Sequence, residues 1–404
     1  MNFKSKIISV IGLGYIGLPT AVLLANNDFK INGIDTDPFV ISNLNQKKTH
    51  INEPGIKKYL RNAIKSKKLT VSLEVIPSDI YMICVPTPFK NKNKLKIPDL
   101  KYVFQVVKNI SKYIKDGDII ILESTSPIGT TEKIKSMIDK KLKKEIKFYV
   151  GYCPERVLPG NIMKELIIND RIVGGLNDRS SKIIAKFYKN FVKGRVLITN
   201  SRTAEMCKLS ENSYRDLNIA FANELSILSH TNGVNVYDLI NLANCHPRVN
   251  ILQPGVGVGG HCIAVDPWFL IHSDKKNSKL IKKTREINNY KTKWIVNLIK
   301  NKIKTDNFKR IICLGLTFKP NVNDTRESPA LKIVGNLNKL NCEVFIVEPN
   351  EIKYKPKNLI SLDKALKLNE SLIIILVRHK QFITKSIKMK LLNKNILDFC
   401  GALN

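Results

Sequence analysis

Unbroken apolar runs alternate with longer amphipathic stretches through the first half of the chain. The runs are KIISVIGL, KINGID, IYMICVP, DIIILES, KFYVGYCPE and RIVGG. They lack the polar alternation of a half-buried strand, so they predict strands of a sheet covered on both faces. A glycine turn and a helix from Leu18 to Asn26 follow the first run. Residues 1–198 therefore read as a doubly wound α/β domain. From Thr199 the pattern changes. SRTAEMCKLSENSYRDLNIAFANELSILSHTNG predicts one long helix, with Ser201 or Thr203 as its cap and Gly233 past its end. NVYDLINLAN and SKLIKKTREINNYKTKWIVNLIKNKI predict two more, so 199–305 reads as a helical middle domain. Over 306–404 the alternation returns. KRIICLGLTF, CEVFIVEP, SLIIILV and NILDFCG predict strands, with SPALKIVGNLNKL as a helix among them. The fold class is α/β, with two doubly wound domains joined by the helical middle and similar to each other only in architecture.

Composition changes this picture little. The 404 residues are 43% hydrophobic, enough for several cores. Lys and Arg total 67 against 34 Asp and Glu, a net charge of +33. Such an excess can serve nucleic acid, an anionic surface or an anionic substrate, or be compositional drift. The lysines are dispersed among many Asn and Ile, and no basic block is interleaved with aromatics. This favours drift and no nucleic-acid partner, although a basic field still attracts a nucleotide diphosphate. Eight cysteines form no CxxC pair, which predicts reduced thiols in a cytoplasm. The first apolar run is short and broken by glycines, so it reads as a strand rather than a secretion signal. No run approaches the roughly 20 apolar residues of a membrane span.

Four constellations carry candidate chemistry. Gly12, Gly14 and Gly17 form a GxGxxG turn between a strand and a helix. The glycines allow pyrophosphate to approach the backbone, with the N–H groups of Tyr15 and Ile16 facing the phosphates. Asp35 ends the second strand, where a carboxylate accepts from ribose hydroxyls and repels a 2′-phosphate. A merely tight turn is the alternative. The context favours a Rossmann-like domain binding NAD rather than NADP. CVPTP and ESTSPIGTTE end two further strands and place the Thr87, Ser124 and Thr125 hydroxyls at the crevice, although each is equally a turn former. GVGVGGHCIAVDPWF sets Cys262 in a glycine-rich loop, four residues before Asp266. A buried inert thiol is the usual reading of a free cysteine and suits Cys84, Cys313 and Cys342. The loop favours a reactive thiol for Cys262. No second ligand cluster is spaced for zinc, so no metal is expected. Lys208, Asn212 and Arg215 share one face of the long helix, which on those residues alone reads as a solvated face.

Taken together, VIGLGYIGLP, VPTP, ESTSPIGTT, YCPERVLPG, AEMCKLSENSYRDLNIAFANELS, HPRVNILQPGVGVGGHCIAVDPW and LTFKPNVNDTRESPA resemble the UDP-glucose/GDP-mannose dehydrogenase family along essentially the whole chain. The resemblance implies an NAD-binding domain, a helical dimerising middle and a UDP-sugar-binding domain. It implies two oxidations of a primary alcohol: an aldehyde, its capture by a thiolate as a thiohemiacetal, then a thioester hydrolysed by water. PERVLPG and the cysteine loop look most like members acting on UDP-N-acetyl-D-mannosamine, for surface polysaccharide. Carried over by motif, Cys262 is the nucleophile. Lys208 and Asn212 assist proton transfer or hold the oxyanion, Asp266 orients them, and Glu155 and Thr125 position water or cofactor. Arg156, Val157, Arg215, His246, Arg248, Gly259, Phe318 and Lys319 line the sugar-nucleotide site, and Arg326 reaches the cofactor pyrophosphate. The arginine at the Arg248 position reaches the other subunit's site in the family, which implies a homodimer with shared sites. Val256 stands where relatives show proline, which predicts a looser loop. The alternatives are the same chemistry on UDP-N-acetylglucosamine, UDP-N-acetylgalactosamine or UDP-glucose, and a binding protein that keeps the fold without turnover.

Overall fold

The computed structural model describes residues 2–92, 95–142, 144–352 and 356–404. The chain divides into two compact units, Met1–Ser210 and Glu211–Asn404.

The first unit is built on strands β1 (Ile7–Ile11), β2 (Lys30–Ile34), β3 (Leu69–Ser72), β4 (Ile80–Ile83), β5 (Phe89–Lys92), β6 (Leu95–Pro98), β7 (Ile119–Leu122), β8 (Tyr149–Tyr152), β9 (Arg171–Gly175) and β10 (Val196–Asn200). All except β5 and β6 form one sheet in the order β10-β9-β8-β7-β4-β1-β2-β3, and β5 and β6 pair as a separate hairpin. The large sheet is parallel except where β8 meets β9. The apolar runs explain its burial. On β4, Ile80 and Met82 enter one core while Tyr81 and Ile83 enter the other. On β7, Ile119 and Ile121 oppose Ile120 and Leu122 in the same way. Strand order reverses between β1 and β4, so the carboxyl ends of those two strands border the crevice where such folds bind ligands. The sequence reading missed β3, β10 and the hairpin. β3 and β10 are the sheet's edges and are mostly exposed or half-buried, so no continuous apolar run announces them.

Two buried carboxylates hold the loops beside that crevice. Glu205 accepts from the N–H of Gly129 at 2.6 Å, and from the N–H and hydroxyl of Thr131 at 2.8 and 2.7 Å. It thereby fixes the segment after β7. Glu53 accepts from the N–H groups of Gly160 and Ile162 at 2.8 and 2.7 Å, which fixes the end of the PERVLPG loop.

The long helix, Ser201–Thr231, begins in the first unit and continues in the second. Its cap is neither Ser201 nor Thr203. The Asn200 side chain accepts from the Thr203 N–H at 2.9 Å, one residue earlier than expected. The second unit adds helices Val236–Ala243, Pro267–Ser273, Lys279–Asp306 and Pro329–Leu337. It also carries strands β11 (Arg310–Leu314), β12 (Glu343–Val347), β13 (Ser371–Ile375) and β14 (Asn395–Asp398). These form a parallel sheet in the order β12-β11-β13-β14. A buried polar network ties helices to loop. Arg285 meets Asp216 at 2.7 Å, Asn288 donates to Asp216 at 2.7 Å, and Asn223 donates to Asn288 at 2.9 Å. Asn223 Oδ1 then accepts from Gly255 in the cysteine loop at 2.9 Å. The next residue, Val256, is buried against Ile295 and Ile299, and its carbonyl accepts from the Thr292 hydroxyl at 2.9 Å. Packing thus restrains the loop that a missing proline was expected to loosen. Among the described residues no helix is long and apolar enough to cross a membrane.

Candidate active site

The glycine turn assigns each of its glycines a task. Gly12 adopts φ +93°, and its N–H donates to the Ile34 carbonyl at 2.7 Å. A Cβ there would lie 2.8 Å from the Cys84 carbonyl oxygen, just past β4. A Cβ on Gly17 would lie 1.8 Å from the Gly12 carbonyl oxygen. Around Gly14, among the described residues other than its chain neighbours, nothing lies within 4 Å of such an atom. Gly12 and Gly17 therefore shape the turn, whereas Gly14 presents bare backbone to open volume. Tyr15 and Ile16 follow it, immediately ahead of the helix Gly17–Asn26, where backbone N–H groups lack intrahelical acceptors. Half-buried Asp35 closes the site's edge. One of its oxygens accepts from Leu13 N–H at 2.8 Å and the other from Asp37 N–H at 3.0 Å.

Past β4 and β7, Thr87 and Thr125 are half-buried. Ser124 is committed to structure, since its hydroxyl donates to the carbonyls of Ile83 and Val85 at 3.2 and 2.7 Å. Behind them lies a buried polar group. Glu123 accepts from the Tyr188 hydroxyl at 2.5 Å and the Cys84 thiol at 3.3 Å. Burial raises the Glu123 carboxyl, with Arg171 opposing the shift. Burial pushes the Cys84 thiol well up and Cys153 to about 12, which suits inert thiols. Glu155 pairs with Arg171 at 2.5 Å and accepts from the Arg156 N–H at 2.6 Å. Lys208 Nζ donates to the Glu155 carbonyl at 2.6 Å. The first unit thus brings Lys208, Glu155 and Arg156 together, with Val157 next along the loop and packed on the core.

In the second unit the nucleophile candidate, Cys262, is half-buried. Its carbonyl accepts from the N–H groups of Val265 and Asp266 at 2.9 and 2.8 Å, folding the loop into the helix Pro267–Ser273. The Asp266 carboxylate accepts from the Asn212 amide, both groups being buried. Asn212 and Asp266 are therefore paired by their side chains, and the Asp266 backbone is bonded to that of Cys262. Gly259 and Gly260 let the loop lie against Phe318: a Cβ on Gly259 would meet the Phe318 Cβ at 2.8 Å, and one on Gly260 would meet the ring at 2.9 Å. Burial lowers the Lys319 ammonium, and nearby Arg215 lowers it further. His246 and Arg248 sit apart from this cluster in an exposed turn, where the Arg248 N–H donates to His246 Nδ1 at 3.3 Å. Arg326 is bound to Asp324, with Nη2 to Oδ2 at 2.6 Å.

Three family profiles match in the order of these elements. The UDP-glucose/GDP-mannose dehydrogenase family's NAD binding domain matches residues 6–192, its central domain 202–290 and its UDP binding domain 312–404. The chain belongs to the UDP-glucose/GDP-mannose dehydrogenase family. It is 45% identical over 401 residues to a UDP-N-acetyl-D-mannosamine dehydrogenase of Campylobacter jejuni, covering 95% of this chain and 97% of that protein. It is 43% identical to an NDP-N-acetyl-D-galactosaminuronic acid dehydrogenase of Ralstonia solanacearum, covering 93% and 92%. The solved UDP-N-acetyl-D-mannosamine dehydrogenase of Pyrococcus horikoshii superposes with a TM-score of 0.89 at 38% identity, covering 98% and 96%. The chain is accordingly an NAD-dependent UDP-sugar dehydrogenase with the family's Rossmann-like domains and helical middle.

The glycine turn fits the family's cofactor. Gly14 leaves room for a pyrophosphate against the backbone, and Asp35, just past the end of β2, would accept from ribose hydroxyls. The reading from sequence missed His261, the chain neighbour of Cys262, and Asp324, whose Oδ2 the fold brings to 3.8 Å from His261 Nδ1. It also missed Glu53 and Glu205, whose partners lie far along the chain, and Arg171, which pairs with Glu155. Only for His261, next to the candidate cysteine, was there a local signal.

Proposed function

We propose that the chain converts UDP-N-acetyl-D-mannosamine into UDP-N-acetyl-D-mannosaminuronate by two successive oxidations at C6. The observation that carries the sugar is the 45% identity over nearly the whole chain to an enzyme named for it. When bound at the Gly12–Gly17 turn, NAD accepts the hydride of each oxidation. The residue roles are part of the proposal. Cys262 adds to the C6 aldehyde and later leaves from the thioester. Asn212, held by Asp266, supplies a neutral donor to the developing oxyanion, and Lys208 a charged one. Glu155 and Thr125 orient water and cofactor. Arg156, Val157, Arg215, His246, Arg248, Gly259, Phe318 and Lys319 hold the sugar nucleotide, and Arg326 the cofactor pyrophosphate. We assign the NAD domain to 1–198, the helical domain to 199–305 and the UDP-sugar domain to 306–404. A product destined for surface polysaccharide and a cytoplasmic location belong to the same reading, and eight cysteines outside any disulfide suit a reducing compartment.

A substrate panel tests the sugar. NADH formation and product mass are measured with UDP-N-acetylmannosamine, UDP-N-acetylglucosamine, UDP-N-acetylgalactosamine and UDP-glucose. UDP-N-acetylmannosamine should lead in kcat/KM by at least about tenfold, which one well-placed hydrogen bond to a hydroxyl can supply. The relative named for N-acetylgalactosaminuronate supports a second reading, and UDP-N-acetylgalactosamine leading the panel would establish it.

The same proposal includes a homodimer with shared sites. Tyr214, Phe221 and Leu228 recur every seventh residue on the long helix and are all exposed, and an apolar stripe of this kind suits a second copy. Exposed Arg248 would serve the partner's site. Mixing Cys262→Ala with Arg248→Ala chains should restore about a quarter of wild-type activity, because random pairing makes about half the dimers mixed, each with one intact site. No recovery after confirmed exchange defeats the shared site.

A further inference from the structure

The segment Thr49–Glu53 joins two loops of the first unit and has no role in that scheme. Half-buried His50 places Nε2 2.9 Å from the Leu13 carbonyl oxygen, inside the glycine turn. Three residues on, buried Glu53 accepts from the Gly160 and Ile162 N–H groups at 2.8 and 2.7 Å. What lies between is fixed as well. The Thr49 hydroxyl accepts from the Ile51 N–H at 3.2 Å and donates to the Ile51 carbonyl at 3.1 Å. The Ile51 side chain is buried in the same core as Leu13. The imidazole is thus carried on a short strap, tied down at Thr49, Ile51 and Glu53.

We infer that His50 is a positioning residue for the cofactor, which by holding the Leu13 carbonyl presents the Gly14 N–H to the pyrophosphate of NAD. The inference rests on the glycine turn being the pyrophosphate site, which the open volume around Gly14 supports. In a trans peptide the C=O and the following N–H point in opposite directions, and no peptide bond among the described residues is cis. Holding the Leu13 oxygen toward His50 therefore turns the Gly14 N–H away from the strap. A peptide that ends on glycine is the easiest to rotate, because glycine tolerates φ on either side of zero. The groups flanking this one are already bound. Leu13 N–H donates to Asp35 at 2.8 Å, and the Gly14 carbonyl accepts from Leu18 N–H at 3.1 Å where the helix begins. Between them the Leu13–Gly14 peptide can still turn over, and the bond from His50 stops it.

The ring's own bonding agrees. A carbonyl oxygen only accepts, so Nε2 carries the hydrogen and the imidazole donates to Leu13. Its other nitrogen, Nδ1, is buried and meets no hydrogen-bond partner among the described residues. Holding the Leu13 carbonyl is therefore the polar contact that the ring makes among those residues.

Binding of NADH to the full-length protein, followed by its fluorescence, tests this without turnover. His50→Phe keeps a ring but has no N–H, and should raise the Kd for NADH by about fivefold or more, the scale of one lost hydrogen bond. His50→Gln, whose amide restores an N–H donor, should stay within about twofold of wild type. If the phenylalanine variant fails to fold, His50→Leu takes its place. UDP is the control, since the family's UDP binding domain matches 312–404, and calorimetry should give all variants the wild-type Kd for it. Wild-type NADH affinity in His50→Phe would overturn the inference. So would an equal loss in His50→Phe and His50→Gln, which marks the ring's shape rather than its N–H, or a matching loss of UDP affinity, which marks a general distortion. The parent reading fails by a different result: NADH binding at wild-type affinity by Gly14→Val, whose side chain fills the open volume.

Discussion

The two parallel sheets open with the same backbone device and put it to different uses. In the first, Gly12 at φ +93° donates to the Ile34 carbonyl and Leu13 N–H donates to Asp35 at 2.8 Å. In the second, Gly315 at φ +95° donates to the Val347 carbonyl and Leu316 N–H donates to Glu348 at 2.7 Å. Either glycine's Cβ would strike the chain leaving the neighbouring central strand, at the Cys84 carbonyl in one and the Val377 Cβ in the other. Beyond this point they diverge. The first turn continues through Gly14 into open volume, with Asp35 half-exposed. The second is sealed. Fully buried His379 stands 3.3 Å from Glu348, Asn350 donates to the other carboxylate oxygen at 2.9 Å, and His379 Nδ1 accepts from the Asn321 N–H at 3.0 Å. One turn leaves its carboxylate half-exposed beside open volume. The other commits it to holding the loop that carries Phe318 and Lys319. The same turn closes both sheets, and what lies beyond it differs: open volume in the first and a buried histidine in the second.

The shared part of the comparison breaks first under substitution. Gly12→Ala and Gly315→Ala each force a side chain into the left-handed region and into a contact of 2.8 or 2.5 Å. Each should cost about 3 kcal/mol or more of stability, read as a lower urea midpoint. Either variant unfolding at the wild-type midpoint would show that its turn tolerates a side chain, and the parallel would fail.

The divergent part is sharpened by removing one charge at a time. Asp35→Asn should narrow the preference for NAD over NADP by about tenfold, since like-charge repulsion of a 2′-phosphate is worth about 1.4 kcal/mol or more. Glu348→Gln should leave that preference intact and lower stability by about 1–3 kcal/mol, because it disturbs buried partners. An Asp35→Asn enzyme with unchanged cofactor preference would deprive the first carboxylate of its role. A Glu348→Gln enzyme of unchanged stability would do the same for the second.

What could be read in advance follows from the range of each interaction. Continuous apolar runs mark the buried strands because burial on both faces needs nothing else, and GxGxxG followed by Asp35 is legible because turn, helix start and carboxylate lie within one βαβ unit. Cys262 and Asp266 could be nominated together because they stand four residues apart, where one loop enters the helix Pro267–Ser273. The two α/β domains were expected to be similar only in architecture, yet they also share the glycine–carboxylate turn. That was hidden because the second turn has a single glycine, and its seal, His379, lies on the far side of β13. Asp324 escaped likewise, because only the folded chain brings it to His261, distant in sequence.

The smallest expected effect concerns acid. Burial raises the Glu348 carboxyl, but hydrogen bonds from His379 and from the N–H groups of Leu316 and Asn350 outweigh it, and the net shift is downward. A carboxyl depressed in the folded state stabilises fully above its unfolded value of about 4.3, and that contribution is lost as pH falls through the lower folded value. Wild-type enzyme should therefore lose stability in this window faster than Glu348→Gln, which has no proton to take up there. The variant starts lower at pH 7, and the two curves of urea midpoint against pH should converge on acidification. Salt should change this little, because the carboxylate is fully buried and poorly screened. Curves that run parallel from about pH 6 to pH 3 would mean that Glu348 binds its proton equally in folded and unfolded chains. The sealed carboxylate would then be no more committed to structure than the open one at Asp35.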